Sequence, residues 1–162
     1  MILLSFNCRG LASEPKKVSF KNLLHQYHLD VILLQENLGT GDYISHFLSS
    51  FLLNWSFVSS DVRGISGGLI TGLKNFSVNL INNWTLDYLI GVEAYSMELG
   101  YVFSVLNIYG PCVDRVTFWN KLMVKYFMND SKLIVGSDLN FPLGRSEFWG
   151  PFARVDPLAD FS

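Results

Sequence analysis

Four short apolar runs, each ending in polar side chains, constrain the fold of this chain more than any other feature. The clearest is Leu133–Asn140 (LIVGSDLN), in which three large apolar residues lead through a small-residue turn to Asp138 and Asn140. A run this short and this rich in β-branched residues is typical of a strand buried on both faces. Because residues two apart on an extended chain point the same way, the two polar side chains are expected to share a direction.

The same arrangement occurs three more times, in apolar runs that each lead to a residue able to bind a metal, hold a phosphate or move a proton: Met1–Phe6 with Asn7, Val31–Gln35 with Glu36, and Tyr101–Ile108 with Tyr109. If the four strands lie side by side with these ends at one edge, the polar side chains converge on a site. The alternative is that they are ordinary solvated strand ends. Single matches of this kind are often accidental, but four together favour a site.

Length and composition indicate one globular domain without a strong electrostatic bias. The chain has 162 residues, of which 49% are hydrophobic and 15% aromatic, which is enough for a sizeable core and unlike a disordered chain. The formal net charge of -2 argues mildly against tight non-specific nucleic-acid binding. It does not exclude a nuclease, because acidic metal-binding residues would offset basic ones.

Cysteine content and hydropathy favour a soluble intracellular protein, with the nucleus among the candidate compartments. The two cysteines, Cys8 and Cys112, are too few for a disulfide framework or a zinc site, and Cys8 is expected to be a small buried filler. No window reaches the ~18 uninterrupted apolar residues of a membrane span. No signal peptide is visible at the start of the sequence.

Three amphipathic helices are expected between these strands. Apolar residues at i, i+3, i+4 and i+7 define three stripes, which run from Phe20 to Tyr27, from Ile44 to Phe51 and from Trp119 to Tyr126. The same spacing places three lysines off the first stripe, on an expected solvated face: Lys16, Lys17 and Lys21.

The residues around these helices predict caps and a β-rich middle. Asp42 and Asp114 are candidate N-caps of the second and third helices. The region 55–99 reads as several antiparallel strands without a helix, and Gly100 is expected to form a hairpin turn. The segment 141–162 contains several Pro and Gly residues and is expected to be loop-like.

Five motifs occur in an order that resembles one known family. They are SFNCRGL (5–11), LLQE (33–36), SGGL (66–69), NIYGP (107–111) and GSDLN (136–140). Together they are similar to the endonuclease/exonuclease/phosphatase superfamily, which has the DNase I-like fold. Within that superfamily the chain looks most like the endonuclease domains of plant LINE-type retrotransposons, because of the NCRGL string and the Phe118-Trp119 pair.

The resemblance implies a four-layer α/β sandwich, two mixed β-sheets flanked by helices, and hydrolysis of phosphoesters with Mg²⁺ or Mn²⁺. It assigns Asn7 and Glu36 to the metal site, with Glu36 as the direct ligand. It implies that Tyr109 contacts the phosphate or leaving group, that Asp138 activates or positions the attacking water, and that Asn140 orients that water and binds a phosphate oxygen. One Glu plus substrate phosphate suits Mg²⁺, which keeps several waters. DNA is the implied partner.

The sequence also departs from the family pattern. Ser137, Phe6 and Asn37-Leu38 stand where Gly, Trp and Thr-Lys are usual, and no histidine after His46 can supply the family's closing Ser/Thr-Asp-His string. Residues 1–162 are therefore expected to be a partial domain, incomplete at the C-terminus, with exposed sheet edges and poor solubility. Three functions stay open: a nucleic-acid phosphodiesterase, a non-catalytic truncated remnant of a retrotransposon endonuclease, and a small-molecule phosphatase.

Overall fold

The computed structural model describes residues 1–11, 13–61, 68–124 and 132–140, which form two stacked sheets with helices on their outer faces. In chain order the elements are β1 (Leu3–Asn7), α1 (Glu14–Gln26), β2 (Val31–Gln35), α2 (Gly41–Ser49), β3 (Trp55–Ser60), β4 (Leu69–Lys74), β5 (Val78–Leu86), β6 (Leu89–Ser96), β7 (Tyr101–Tyr109), α3 (Arg115–Leu122) and β8 (Leu133–Asp138). The expected four-layer α/β sandwich with two flanked sheets is confirmed.

Each sheet contains one parallel pair of strands at one side, so both sheets are mixed. The first sheet has the order β1-β2-β4-β3, with β1 and β2 parallel and the other neighbours antiparallel. The second has the order β5-β6-β7-β8, with β7 and β8 parallel. The four polar-ended runs do not lie side by side in one sheet, because β1 and β2 belong to one sheet and β7 and β8 to the other.

Strand β2 is the most buried strand of the molecule, and its sequence shows why. All five of its residues are buried, with Val31 and Leu33 facing the second sheet and Ile32 and Leu34 facing the helices. A strand covered on both faces has no polar face, so it reads as a continuous apolar run. Strand β8 was also predicted to be buried on both faces, but it is less buried than β2. It pairs with only one strand in the described structure, and Val135 is 37% exposed.

Three hydrophobic clusters fill the spaces between the four layers. The first lies between the sheets, the second lies between the first sheet and helices α1 and α2, and the third lies under α3. Their largest helix contributions come from Phe20, Leu24, Ile44, Leu48, Trp119 and Leu122. Full burial of a Leu or Ile side chain contributes about 1.5–3 kcal/mol, so these stripes attach the helices to the sheets.

Helix α1 differs from its prediction at two residues. Tyr27 was expected on the core stripe but is 50% exposed, because the helix ends at Gln26 and the chain turns extended. Lys17 was expected on a solvated face but is buried, where its Nζ donates to Glu14 Oε1 at 2.6 Å and to the Tyr43 hydroxyl at 2.8 Å. The hydrogen bonds to Glu14 and Tyr43 raise the pKa of Lys17 above its usual value. Because Lys17 lies on α1 and Tyr43 on α2, the Lys17 ammonium links the two helices.

The predicted helix caps are partly wrong. Thr40, and not Asp42, caps α2, since its hydroxyl accepts from the Tyr43 backbone N–H at 3.4 Å. Asp114 does precede α3, but it has a left-handed backbone (φ 53) and its side chain makes no capping hydrogen bond. The end of the third stripe, at Tyr126, lies outside the described residues.

The middle of the chain is antiparallel, as predicted. Strands β3 and β4 pair in one sheet, and β5, β6 and β7 pair in the other. Gly100 forms the expected turn between β6 and β7, with φ 72 and its N–H donating to the Ser96 carbonyl at 2.9 Å. No helix in the described ranges is long and apolar enough to cross a membrane. The expected loop-like segment 141–162 falls outside those ranges.

Candidate active site

The ends of the two parallel strand pairs meet through one side-chain contact between the sheets. Asn7, at the end of β1, donates from Nδ2 to Oδ2 of Asp138, at the end of β8, at 2.5 Å. Its Oδ1 accepts the backbone N–H of Arg9 at 3.0 Å, which fixes the orientation of the amide. Two of the predicted site residues, 131 positions apart in sequence, are therefore in direct contact.

Asn140 lies beside this contact and is held by three hydrogen bonds. Its backbone N–H donates to Asp138 Oδ1 at 3.3 Å, and its Nδ2 donates to the Gly110 carbonyl at 2.5 Å. Its own carbonyl accepts from Nη1 of Arg115 at 2.9 Å. Arg115, at the start of α3, is a site neighbour that the sequence did not indicate, and its guanidinium brings a positive charge to Asn140.

Glu36 directly follows β2, the strand that pairs with β1. Gln35 is the register partner of Asn7, so Glu36 is the first residue beyond the paired strands. Its carbonyl accepts the N–H of Gly10 at 2.7 Å, which fixes its backbone. The side chain is half-buried, and its carboxylate makes no hydrogen bond or ion pair to the residues the structure describes. A carboxylate held this way is available to a cation.

Tyr109 reaches the same edge of the second sheet, and most of its side chain is buried. It is the register partner of Asp138 in the parallel pair of β7 and β8. Its side chain is only 7% exposed and belongs to the cluster between the sheets. The structure therefore brings Asn7, Asp138, Asn140 and Tyr109 to one edge, with Glu36 on the adjacent strand end.

The backbone around this edge is unusually strained. Six non-glycine residues in the described ranges have positive φ, and five of them flank the candidate site: Arg9 (φ 45), Glu36 (φ 51), Leu38 (φ 55), Asp114 (φ 53) and Asn140 (φ 54). A left-handed backbone at non-glycine residues costs free energy and persists only where the surrounding structure fixes it. Asp and Asn adopt this conformation more readily than other residues, so Arg9, Glu36 and Leu38 are the more informative cases, and they support a functional site at this edge.

Small residues in β8 allow the two sheets to approach each other. A Cβ added at Gly136 would collide with Leu33 Cδ1 and would lie 2.8 Å from Ser5 Oγ. Gly136 and Ser137 were predicted to form a turn, but both lie within β8, where Gly136 is paired with Asn107. Their small size brings β8 close enough to β1 for Asp138 to reach Asn7.

Cys8 follows Asn7 and behaves as the predicted buried filler. Its side chain is 7% exposed, and burial, opposed by Lys16 and reinforced by Glu36, raises the pKa of the thiol to about 12. The thiol therefore stays protonated at neutral pH. A protonated thiol is a poor nucleophile, so Cys8 fits a structural role better than a reactive one.

Asn37 is a buried residue of this region whose importance the sequence did not reveal. Its Oδ1 accepts the N–H of Gly39 at 3.0 Å, and its backbone bonds to the Gly68 carbonyl and the Leu11 N–H. It is 1% exposed, and its Nδ2 is without a hydrogen-bond partner among the described residues. Asn37 thus ties three loops together directly after Glu36. Ser66 and Gly67 of the predicted glycine motif lie outside the described residues.

The donor set suits a hard divalent cation. Within the described ranges, no group of three or more His, Cys, Asp or Glu side chains could hold a metal ion. The carboxylates of Glu36 and Asp138 and the amide oxygen of Asn7 offer oxygen donors only. Mg²⁺ prefers oxygen, takes one or two carboxylates and keeps several waters, so a site with few protein ligands fits it better than zinc or another thiophilic metal.

No protein-family model and no curated protein sequence matches the chain. Solved structures do match it. The catalytic domain of Xenopus laevis APE2 is similar with a TM-score of 0.69 and 18% identity, over 100% of this chain and 64% of that one. TDP2 from D. rerio, solved with a single-strand DNA product, has a TM-score of 0.64 and 17% identity, over 86% of this chain and 60% of that one.

The endonuclease domain of TRAS1, a telomere-specific non-LTR retrotransposon, matches with a TM-score of 0.61 and 14% identity, over 98% of this chain and 66% of that one. The chain thus spans about three fifths to two thirds of the length of these structures. At such identities the likeness shows the fold alone. This protein therefore has the DNase I-like α/β-sandwich fold of endonuclease/exonuclease/phosphatase structures.

Proposed function

We propose that this chain carries most of the active centre of a Mg²⁺- or Mn²⁺-dependent phosphodiesterase that acts on nucleic acid. The observation that carries the proposal is the contact between Asn7 and Asp138, which joins the polar ends of two separate sheets beside Glu36. Purely structural strand ends would not need a carboxylate oriented by an amide from the other sheet. DNA as the substrate is favoured by the likeness to TDP2, solved with a single-strand DNA product, and to the endonuclease domain of TRAS1.

In this proposal the chain's own residues divide the work as follows. Glu36, with the Asn7 amide oxygen, would hold the divalent ion, which supplies positive charge to offset the charge that builds on the phosphate oxygens. Asp138 would accept the proton of the attacking water. Asn140 would orient that water and a phosphate oxygen through its side chain, and Tyr109 would contact the phosphate or the leaving oxygen from the inter-sheet side.

The first prediction concerns these carboxylates. We expect the Glu36→Gln and Asp138→Asn variants to lose at least about 100-fold in the nicking of supercoiled plasmid with Mg²⁺ or Mn²⁺, since a positioned general base alone contributes about 10²–10⁴-fold. Glu93→Gln is the matched control, because Glu93 is also half-buried but pairs with Ser104, five residues from Tyr109 along β7. Activity that survives in both site variants would contradict the assignment.

Metal binding separates the enzyme from a non-catalytic remnant of the same fold. Electron paramagnetic resonance of Mn²⁺ should show a site in the wild-type chain that Glu36→Gln weakens and Glu93→Gln leaves intact. A site of this kind without nicking would favour the remnant. Hydrolysis of p-nitrophenyl phosphate in place of plasmid would favour the small-molecule phosphatase. A wild-type chain that binds no Mn²⁺ would sink the proposed function.

A further inference from the structure

Two buried amides join the sheets directly beneath the candidate site. Gln35 and Asn107 are 1% and 0% exposed, within a mainly apolar interface that also contains the buried hydroxyl of Thr71. Gln35 Nε2 donates to Asn107 Oδ1 at 2.7 Å, from β2 of the first sheet to β7 of the second. In return, Asn107 Nδ2 donates to the Ile70 carbonyl at 2.9 Å and to Thr71 Oγ1 at 3.3 Å, both on β4 of the first sheet.

Hydrophobic burial does not explain this pair. Burying an amide costs free energy unless it is hydrogen-bonded, and a satisfied pair contributes little more than apolar side chains of the same shape would. A hydrogen-bonded amide pair also fixes the direction and the length of the contact between the two sheets. Apolar side chains allow two sheets to slide or spread a little, whereas the Gln35–Asn107 hydrogen bond and the bonds to Ile70 and Thr71 fix one spacing and one register.

The position of the pair connects that fixed spacing to the site. Gln35 directly precedes Glu36, and Asn107 precedes Tyr109 by two residues on the same strand. Asn107 is also the register partner of Gly136, two residues before Asp138. At about 3.3 Å per residue along a strand, the Gln35–Asn107 bond lies within ~7 Å of the positions of Asn7, Glu36, Tyr109 and Asp138.

We propose that Gln35 and Asn107 are positioning residues, which set the distance between Glu36 on one sheet and Asp138 on the other. The Mn²⁺-binding test of this proposal rests on the proposed function. The expected effect on the Asn7–Asp138 contact depends only on the hydrogen bonds described above. If the amide bond sets the spacing, its loss should loosen the Asn7–Asp138 contact and the cation site together. If the pair is only structural, its loss should change stability and leave both unchanged.

The experiment replaces the amides by apolar side chains of similar shape. Gln35→Met and the double variant Gln35→Met/Asn107→Leu are compared with Ser96→Ala, which removes a buried hydroxyl at the far end of β6, where it accepts the Leu99 N–H at 3.1 Å. Three quantities are measured for each variant: the urea midpoint of unfolding, the Mn²⁺ affinity by electron paramagnetic resonance, and the solvent exchange rate of the Asn7 side-chain amide by NMR.

We expect the double variant to unfold cooperatively but to bind Mn²⁺ about 10–100-fold more weakly, the usual cost of losing a group that orients metal ligands. The Asn7 amide protons should exchange about tenfold faster or more, because a hydrogen bond to a charged group is lost. Ser96→Ala should shift the urea midpoint alone. If the double variant does not unfold cooperatively, Gln35→Met is judged by the same two criteria.

A folded variant with wild-type Mn²⁺ affinity and wild-type Asn7 exchange would overturn the inference. A wild-type chain that binds no Mn²⁺ would instead contradict the proposed function. In that case the Asn7 exchange rate decides alone: faster exchange in the variant supports the positioning role, and unchanged exchange overturns it.

Discussion

At the scale of single residues, the candidate site is organised by amides as much as by charges. Asn7 orients the Asp138 carboxylate, Asn140 bonds to Gly110, and Asn37 ties the loops that follow Glu36. An amide offers a donor and an acceptor without a charge of its own, so it can orient a carboxylate without neutralising it. This is why neutral residues mark the site as strongly as acidic ones.

A residue-scale prediction concerns the two thiols. Cys112 is exposed and Cys8 is buried with a thiol pKa of about 12, so at pH 8 a disulfide reagent such as DTNB should react quickly with one thiol in native protein and with two in urea. Cys112→Ser should abolish the fast reaction, and Cys8→Ser should leave it unchanged. Two fast thiols in native protein would show that Cys8 is not buried.

The same pKa shift predicts a loss of stability at alkaline pH. Because the folded-state pKa of Cys8 is raised above its ordinary value of 9.0, its contribution is fully present below pH 9.0 and is lost as pH rises toward about 12. Cys8→Ala should therefore show a shallower fall in the urea midpoint over this range than wild type. Parallel curves for the two proteins would contradict the shift.

At the scale of secondary-structure elements, the two strands that lead to the candidate carboxylates differ in how they are packed. Strand β2 is fully buried between β1 and β4, whereas β8 rests on β7 and on small side-chain contacts across the sheets. Gly136 faces Leu33 and Ser5 of the first sheet, and a side chain at this position would collide with Leu33.

An element-scale prediction follows for Gly136→Ala. The added Cβ would overlap Leu33 and push β8 away from the first sheet, so we expect a loss of about 1–3 kcal/mol in the free energy of unfolding, as for overpacking in other cores. Urea unfolding measures it. Leu33→Val in the same chain shortens the overlapping side chain and should restore part of the loss. A Gly136→Ala variant with an unchanged free energy of unfolding would show that the space between the sheets accommodates a Cβ at this position.

At the scale of the whole molecule, the site exists only when both sheets are assembled. Its carboxylates come from β2 in one sheet and β8 in the other, and residues 7 and 138 are far apart in sequence. A divalent cation held by Glu36 and Asn7 would bind the folded state and find no comparable site in the unfolded chain. Binding should therefore be visible as added stability.

The whole-molecule prediction is a metal-dependent shift in thermal unfolding. Mn²⁺ at about 100 times its dissociation constant should stabilise the wild-type chain by about 2.7 kcal/mol, seen as a higher Tm by calorimetry. Glu36→Gln should lose this shift, while Glu93→Gln should keep it. An equal rise in Tm for wild type and Glu36→Gln would mean that the ion binds elsewhere.

Much of the architecture followed from local sequence. Apolar runs, their spacing and their polar ends predicted the strands, the three helices and the residues that gather at one edge, because strand and helix periods are written in neighbouring residues. The family resemblance of five short motifs predicted the two-sheet sandwich. Asn7, Asp138 and Asn140 came together as expected, although β1 and β8 lie in different sheets, because the two sheets stack with the ends of their parallel strand pairs facing each other.

What only the tertiary structure decided is how those pieces pair. The sequence could not tell that β2 rather than β8 would be the fully buried strand, that Lys17 would be buried against Tyr43, or that Gln35 would find Asn107 across the sheets. Each depends on a partner distant in the chain, and local spacing carries no information about which distant partner a strand or amide will meet. The elements are set by neighbours in sequence, and the site by neighbours in space.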